Sequence, residues 1–130
     1  MLFDLGSLAI WADVFVKHAT QLGAQPTNVA DHARALADAA RDAVLRGMAD
    51  ALIVSGTATG HATDPEDVRH VKSAVPTIPV LVGSGFSADT ATALLAHADG
   101  AIVGTSLKQQ GNVALPVSSE RVRALRTAMG

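Results

Sequence analysis

Two glycine-rich segments are the residues of this sequence best suited to hold a ligand. Residues 83–85 read Gly-Ser-Gly and residues 104–106 read Gly-Thr-Ser, and each follows a short apolar run. Because glycine lacks a Cβ, a ligand can come close to backbone N–H groups there. Ser87 and either Thr105 or Ser106 can cap the turns that follow. Such amide-rich strand ends favour an anion, and phosphate is the best match. The alternative is that both segments are only tight turns between a strand and a helix.

Three further residues are candidates for catalysis. Lys17 is expected near the end of a predicted strand, with Asp13 on the same face about 13 Å deeper. His18 and His61 each follow a predicted strand end and could form an acid/base pair, since histidine titrates closest to neutral pH. The alternative is that Lys17 and Asp13 are solvated and that both histidines merely cap loops.

The remaining histidines are scattered along the predicted helices and are interpreted as surface groups: His32, His70 and His97. No two histidines stand at i, i+4 beside a carboxylate, so the sequence predicts no metal site within one element. No cofactor is predicted either.

The elements that must position these residues alternate between strands and helices. Apolar runs of four or five residues bounded by glycine are typical of strands buried on both faces of a parallel sheet. Strands are predicted over residues 9–17, 49–56 and 100–104 and from residue 80, with helices after Asn28 and Asp64, over residues 87–97 and from about residue 119. The order Ala-Asp, apolar strand, small-residue loop occurs at both 49–56 and 98–105, which supports repeated βα units.

The sequence therefore predicts an α/β fold with a parallel sheet, in one domain over residues 1–130. Four βα units account for nearly all of the chain. A closed (β/α)8 barrel needs eight strands in roughly 250 residues. The chain is accordingly predicted to be half of such a TIM-type barrel.

Composition excludes several classes of protein. A hydrophobic content of 48% is sufficient for a core. The net charge of −2, aromatic content of 3% and absence of tyrosine argue against a nucleic-acid partner. The lack of cysteine excludes disulfides and thiol catalysis. No apolar run approaches the ~20 residues of a transmembrane segment, and the N-terminus has no basic region typical of a secretory signal. A cytoplasmic location is therefore expected.

Four segments in order resemble the second half of one known family. They are Ala-Asp-Val-Phe-Val-Lys-His-Ala (12–19), Ala-Asp-Ala-Leu-Ile-Val-Ser-Gly-Thr-Ala-Thr-Gly (49–60), Pro-Val-Leu-Val-Gly-Ser-Gly (79–85) and Ala-Asp-Gly-Ala-Ile-Val-Gly-Thr-Ser-Leu-Lys (98–108). This ordered set is similar to the BtpA/SgcQ family, whose fold resembles ribulose-phosphate-binding barrels. The family's first four βα units have no counterpart here. The resemblance implies a barrel fold with a phosphate-facing end.

Two main functions follow from these observations. The first is binding of a phosphorylated small molecule, a sugar phosphate or nucleotide-like compound, whose reaction is undetermined. Lys17, His18 and His61 would then line the mouth, and Gly83, Ser84, Gly85, Gly104, Thr105 and Ser106 would hold the phosphate. The second is a non-catalytic assembly or stability factor, as in the family branch associated with photosystem I biogenesis. A truncated inactive fragment is a third reading. The predicted protein partner is a second copy of the chain or a separate N-terminal half-barrel.

Overall fold

The computed structural model describes residues 11–14, 28–56 and 61–130. Helices and strands alternate along these residues, as the sequence predicts. The strands are β1 (Trp11–Val14), β2 (Ala51–Val54), β3 (Val80–Val82) and β4 (Gly100–Ala101). The helices are α1 (Val29–Leu45), α2 (Pro65–Ala74), α3 (Ala91–Leu95) and α4 (Ser119–Met129). Two short 3-10 turns, Thr105–Leu107 and Gln109–Gly111, connect β4 to α4.

The strands form a parallel sheet in the order β1-β2-β3-β4. Each strand therefore pairs with its neighbour in the chain, and the order never reverses. Since strand-to-strand crossovers in a parallel sheet are almost always right-handed, the connecting helices are expected on one face of this sheet. The α/β class and the parallel sheet predicted from the sequence are confirmed.

The hydrophobic core lies between that face and the helices. Alternate residues of the central strands, Leu52, Val54, Val80 and Val82, are fully buried in it. The helices contribute a second set of buried apolar side chains, namely Leu36, Ala39, Ala40, Val68, Val71, Ala91, Leu94 and Leu125. Strand alternation places Ile53 and Leu81 on the opposite face.

Side-chain caps begin helices α1 and α2 where the sequence predicts them. The Asn28 side-chain oxygen accepts a hydrogen bond of 2.9 Å from the Asp31 amide at the start of α1. At the start of α2, Asp64 accepts from the Glu66 amide at 2.9 Å, and Pro65 is the first helical residue. Both contacts satisfy backbone N–H groups that lack partners within the helix.

Helix α1 ends just before Gly47, as expected, but the reason for glycine is space. A Cβ on Gly47 would lie 2.6 Å from the Ala43 carbonyl oxygen. The left-handed backbone conformation falls instead on Met48, at φ 54°.

Several sequence predictions are corrected by the structure. The predicted helix over residues 87–97 is reduced to Ala91–Leu95. Strands β2, β3 and β4 are shorter than predicted, and of the predicted strand 9–17 only residues 11–14 are described. His32 is not a surface group: it is half-buried, and its Nε2 lies 2.7 Å from the Asp67 carboxylate, which joins α1 to α2. His97 lies beyond the end of α3 rather than within a helix.

Candidate functional site

A cleft of about 570 Å³ lies at the carboxyl ends of β3 and β4. Its walls are the loop after β3 and the loop after β4, with Gly111 completing the lining. Both glycine-rich segments identified from the sequence lie in it, so the structure brings the six predicted phosphate-binding residues together: Gly83, Ser84, Gly85, Gly104, Thr105 and Ser106. The other lining residues are Phe86, Ser87, Ile102 and Val103.

The loop after β3 is held by the side chain of Ser84. Its hydroxyl accepts a hydrogen bond from the Gly56 amide at 2.9 Å and lies 3.0 Å from the His61 carbonyl oxygen, to which it donates. The buried Thr63 hydroxyl donates to the Ser84 carbonyl oxygen at 2.8 Å. The Ser84 hydroxyl therefore ties two adjacent strand-end loops together.

Glycine is required at two positions of the β3 loop for different reasons. A Cβ on Gly83 would lie 2.6 Å from both the Ile53 Cγ2 and the Ser55 Oγ. Gly85 adopts a φ of 70°, and a Cβ there would lie 2.5 Å from the Ala62 Cα. Close packing of neighbouring chain segments thus shapes this side of the cleft.

The loop after β4 presents a more open wall. A Cβ on Gly104 would meet no atom within 4 Å. The 3-10 turn Thr105–Leu107 follows, and the Ser106 hydroxyl donates to the Phe86 carbonyl oxygen at 2.7 Å. This bond joins the β4 loop directly to the β3 loop.

Several backbone amides in both loops have no hydrogen-bond acceptor among the described residues. Within the described ranges, the N–H groups of Ser84, Gly85, Gly104, Thr105 and Ser106 donate to no other residue. Unpartnered amides at strand ends and at the first turn of a helix carry partial positive charge.

The serine and threonine residues do not cap the following helices as predicted. Ser87 forms a turn in which its amide donates to the Thr90 hydroxyl at 3.0 Å, and neither α3 nor the first 3-10 turn has a side-chain cap. Two bonds accompany this difference: Thr90 Oγ1 donates to the Gly85 carbonyl oxygen at 2.9 Å, and the Ser106 hydroxyl donates to the Phe86 carbonyl oxygen at 2.7 Å.

The predicted catalytic residues are only partly described. Lys17 and His18 lie outside the described residues, as does any pairing of His18 with His61. His61 is exposed in the segment between β2 and α2, where its carbonyl oxygen accepts from Ser84. The register pairs Asp13 with Ile53.

One residue near the cleft was missed by the sequence analysis. Arg121 in α4 donates from Nη1 to the Ser106 carbonyl oxygen at 3.1 Å. Its position, 15 residues beyond Ser106, carries no local pattern that would reveal this contact.

The described ranges lack two other kinds of feature. No group of three or more histidine or acidic side chains there could hold a metal ion. No helix in those ranges is long and apolar enough to cross a membrane.

The chain was then compared with known proteins. A sequence profile of the BtpA family matches residues 3–130, nearly the full length. The chain belongs to the BtpA family. This finding confirms the resemblance seen in the four ordered segments.

Named relatives within the BtpA family lie in both bacteria and archaea. An uncharacterized protein of Thermococcus kodakarensis is 43% identical over 118 residues, which cover 91% of this chain and 41% of that protein. The photosystem I biogenesis protein BtpA of Synechocystis is 39% identical over 122 residues, covering 94% of this chain and 39% of that protein. A putative sgc region protein, SgcQ of Escherichia coli, is 34% identical over 89 residues, which cover 68% of this chain and 33% of that protein. The chain thus spans about two fifths of the length of the relatives it matches.

Proposed function

We propose that this chain binds a phosphorylated small molecule, such as a sugar phosphate, in the cleft between the β3 and β4 loops. The observation that carries the proposal is the convergence of two amide-rich loops, from adjacent parallel strands, on one cleft. In parallel α/β folds, ligands bind at the carboxyl ends of the strands.

The different bonding of the side-chain hydroxyls and the backbone amides supports an anion as the ligand. The Ser84 and Ser106 hydroxyls are used in bonds between loops, whereas the adjacent amides lack partners among the described residues. Phosphate oxygens would accept hydrogen bonds from those amides. Gly104 has open space on its Cβ side, which leaves room for a ligand to approach the backbone.

We also propose that the four βα units belong to a (β/α)8 barrel that a second chain completes. The sheet order β1-β2-β3-β4 without reversal supports this, because a barrel sheet winds in one direction with its helices on one face. Ile102, just beyond edge strand β4, is 52% exposed. The partner would be a second copy of the chain or a separate chain with the N-terminal part of the family sequence.

The reaction, if one occurs, stays a prediction. Lys17, His18 and His61 remain the proposed acid/base and charge-bearing groups at the mouth. Binding and catalysis are therefore tested separately.

Calorimetric titration of the 130-residue chain with glycerol 3-phosphate tests the binding proposal. Glycerol is the matched control, since it lacks only the phosphate group. Saturable binding of glycerol 3-phosphate or inorganic phosphate, with none for glycerol, is expected. Equal heats for glycerol and glycerol 3-phosphate, with no response to inorganic phosphate, would contradict the proposal.

A non-catalytic assembly role is the alternative proposal. It is supported by the name of the Synechocystis relative, a photosystem I biogenesis protein, which is 39% identical. A chain that binds no phosphate compound and instead forms a stable complex with another protein would favour this alternative.

A further inference from the structure

Among the described residues, those that line the cleft include no ionisable side chain. These eleven residues are glycine, serine, threonine or apolar residues. A phosphate monoester is a dianion above its second pKa of about 6. Backbone amides supply hydrogen bonds but no net charge, so a cation at the edge of the cleft would add Coulomb attraction for a dianion.

The first turn of α4, which carries the exposed Arg121, is anchored beside the β4 loop by two contacts. The Ser118 amide donates to the Leu107 carbonyl oxygen at 2.8 Å, which anchors the start of α4 on the 3-10 turn. The Ser118 hydroxyl then caps the helix by accepting from the Arg121 amide at 3.4 Å. From this anchored first turn the Arg121 guanidinium reaches the carbonyl oxygen of Ser106, which lines the cleft.

The charge of Arg121 is not neutralised by a carboxylate in the described part of the chain. Four other arginines there pair with a carboxylate three or four residues earlier in the chain: Arg34 with Asp31, Arg41 with Asp38, Arg46 with Asp42 and Arg69 with Glu66. Arg121 has no such pair, and it contacts a carbonyl oxygen instead. A guanidinium has five N–H donors, and the contact with Ser106 uses one nitrogen.

We propose that Arg121 supplies a positive charge for the ligand, beside that proposed for Lys17, and makes the cleft selective for dianionic phosphate monoesters over monoanionic diesters. This inference rests on the proposed phosphate-binding function and deepens it by naming the class of ligand. A guanidinium at the rim gains more from a dianion than from a monoanion, because the Coulomb energy scales with the charge. Charge-assisted hydrogen bonds from the guanidinium to phosphate oxygens also favour a ligand whose oxygens match the planar arrangement of the donors.

The test compares methyl phosphate with dimethyl phosphate near pH 8, where the monoester is a dianion and the diester a monoanion. For the wild-type chain, tighter binding of methyl phosphate is expected. In Arg121→Gln, the affinity for methyl phosphate should fall on the order of tenfold, while that for dimethyl phosphate should fall only about threefold, because the Coulomb energy of a monoanion is half as large. Arg121→Lys should recover part of the preference, since it keeps the charge without the planar donors.

Arg123→Gln is the matched control. It removes the same charge two residues away, from a residue that lines a separate depression with Arg126, Thr127 and Gly130 and lacks the Arg121 contact with Ser106. Equal preference for the monoester in wild type and Arg121→Gln would overturn this inference while leaving the phosphate proposal intact. Equal losses in Arg121→Gln and Arg123→Gln would also overturn it, because the effect would then be one of net charge. Absence of binding of any phosphate compound to the wild-type chain would overturn both proposals.

Discussion

The Lys72 ammonium group donates to the Asp99 carboxylate at 2.8 Å and joins α2 to the residue before β4. Lys72 also donates to the Ile78 carbonyl oxygen at 3.0 Å, and Asp99 accepts from the Val80 amide at 2.8 Å. This cluster fixes the starts of β3 and β4 relative to each other. It therefore holds β3 and β4 together at their amino-terminal ends, opposite the carboxyl ends that form the cleft.

These contacts predict a pH-dependent contribution of Asp99 to stability. Partial burial by itself would raise the pKa of Asp99, but the hydrogen bond from Lys72, the Val80 amide and the Lys72 charge outweigh it and lower the pKa. Carboxyl groups of an unfolded chain titrate near pH 3.9. Because the folded pKa is lower, the stabilisation is fully present above about pH 4 and disappears as the pH falls through the folded pKa.

Asp99→Asn should accordingly lower the free energy of unfolding by about 1 to 2 kcal/mol at neutral pH. The difference from wild type should shrink below about pH 4. Urea unfolding at several pH values, followed by circular dichroism, measures it. Asp38→Asn, which removes an exposed partner of Arg41, is the control and should cost less than about 0.5 kcal/mol. A difference that is the same at neutral and acid pH would show that the charge of Asp99 is not responsible.

Ser84→Ala should destabilise the fold and weaken ligand binding through the loops. Its hydroxyl bonds to Gly56 and His61, and Gly56 is buried, so its amide would lose its partner. The expected cost is about 1 to 3 kcal/mol in the free energy of unfolding. Ser73→Ala, at an exposed position of α2, should change it by less than about 0.5 kcal/mol. Equal stability of both variants would argue against the loop-joining role of Ser84.

Gly104→Leu should leave stability unchanged within about 0.5 kcal/mol, because a Cβ there meets no atom within 4 Å. The larger side chain is expected to cover the backbone amides and to lower phosphate affinity at least tenfold, on the order of a lost charge-assisted hydrogen bond. Thermal unfolding and calorimetric titration with glycerol 3-phosphate measure the two effects on the same protein. Retained affinity in a folded Gly104→Leu chain would place the ligand elsewhere.

Gly85→Ala should have the opposite effect to Gly104→Leu: the main loss should be in the free energy of unfolding rather than in phosphate affinity. A methyl group there would approach the Ala62 Cα to 2.5 Å, at a backbone φ of 70°. The expected loss is on the order of 2 kcal/mol or more. Urea unfolding followed by circular dichroism checks it, and an unchanged midpoint would contradict the close packing of this loop against Ala62.

The chain is expected to associate, because a parallel sheet with unpaired edge strands exposes backbone groups. Two chains of 13.3 kDa would sediment as a particle of about 27 kDa. Sedimentation equilibrium at micromolar concentration distinguishes this dimer from aggregate, which would favour an orphaned fragment. A 13.3 kDa monomer that unfolds cooperatively would contradict the half-barrel proposal.

Features that depend on near neighbours in the chain could be predicted from the sequence. The caps at Asn28 and Asp64 reach only two or three residues ahead, so residue type and spacing determine them. Short apolar runs bounded by glycine likewise identified the parallel strands and the two loops at their ends. Helix length was less predictable: the segment before Ala91 became a turn because the Thr90 hydroxyl bonds to Gly85 and Ser87.

Only the tertiary structure decided which hydrogen-bond partners the polar side chains around the cleft have. The Ser84 hydroxyl bonds to Gly56 and His61, which are 28 and 23 positions away in the chain. His32 bonds to Asp67 across 35 positions, and Arg121 bonds to Ser106 across 15. The sequence marked Ser84 and Ser106 as ligand donors, but their hydroxyls face neighbouring loops once the parallel strands are aligned. Residue type shows that a group can form a hydrogen bond, whereas the partner depends on which distant segments packing of the apolar core brings within 3 Å. For that reason the sequence by itself determined the place of the cleft, and the fold decided which atoms remain available within it.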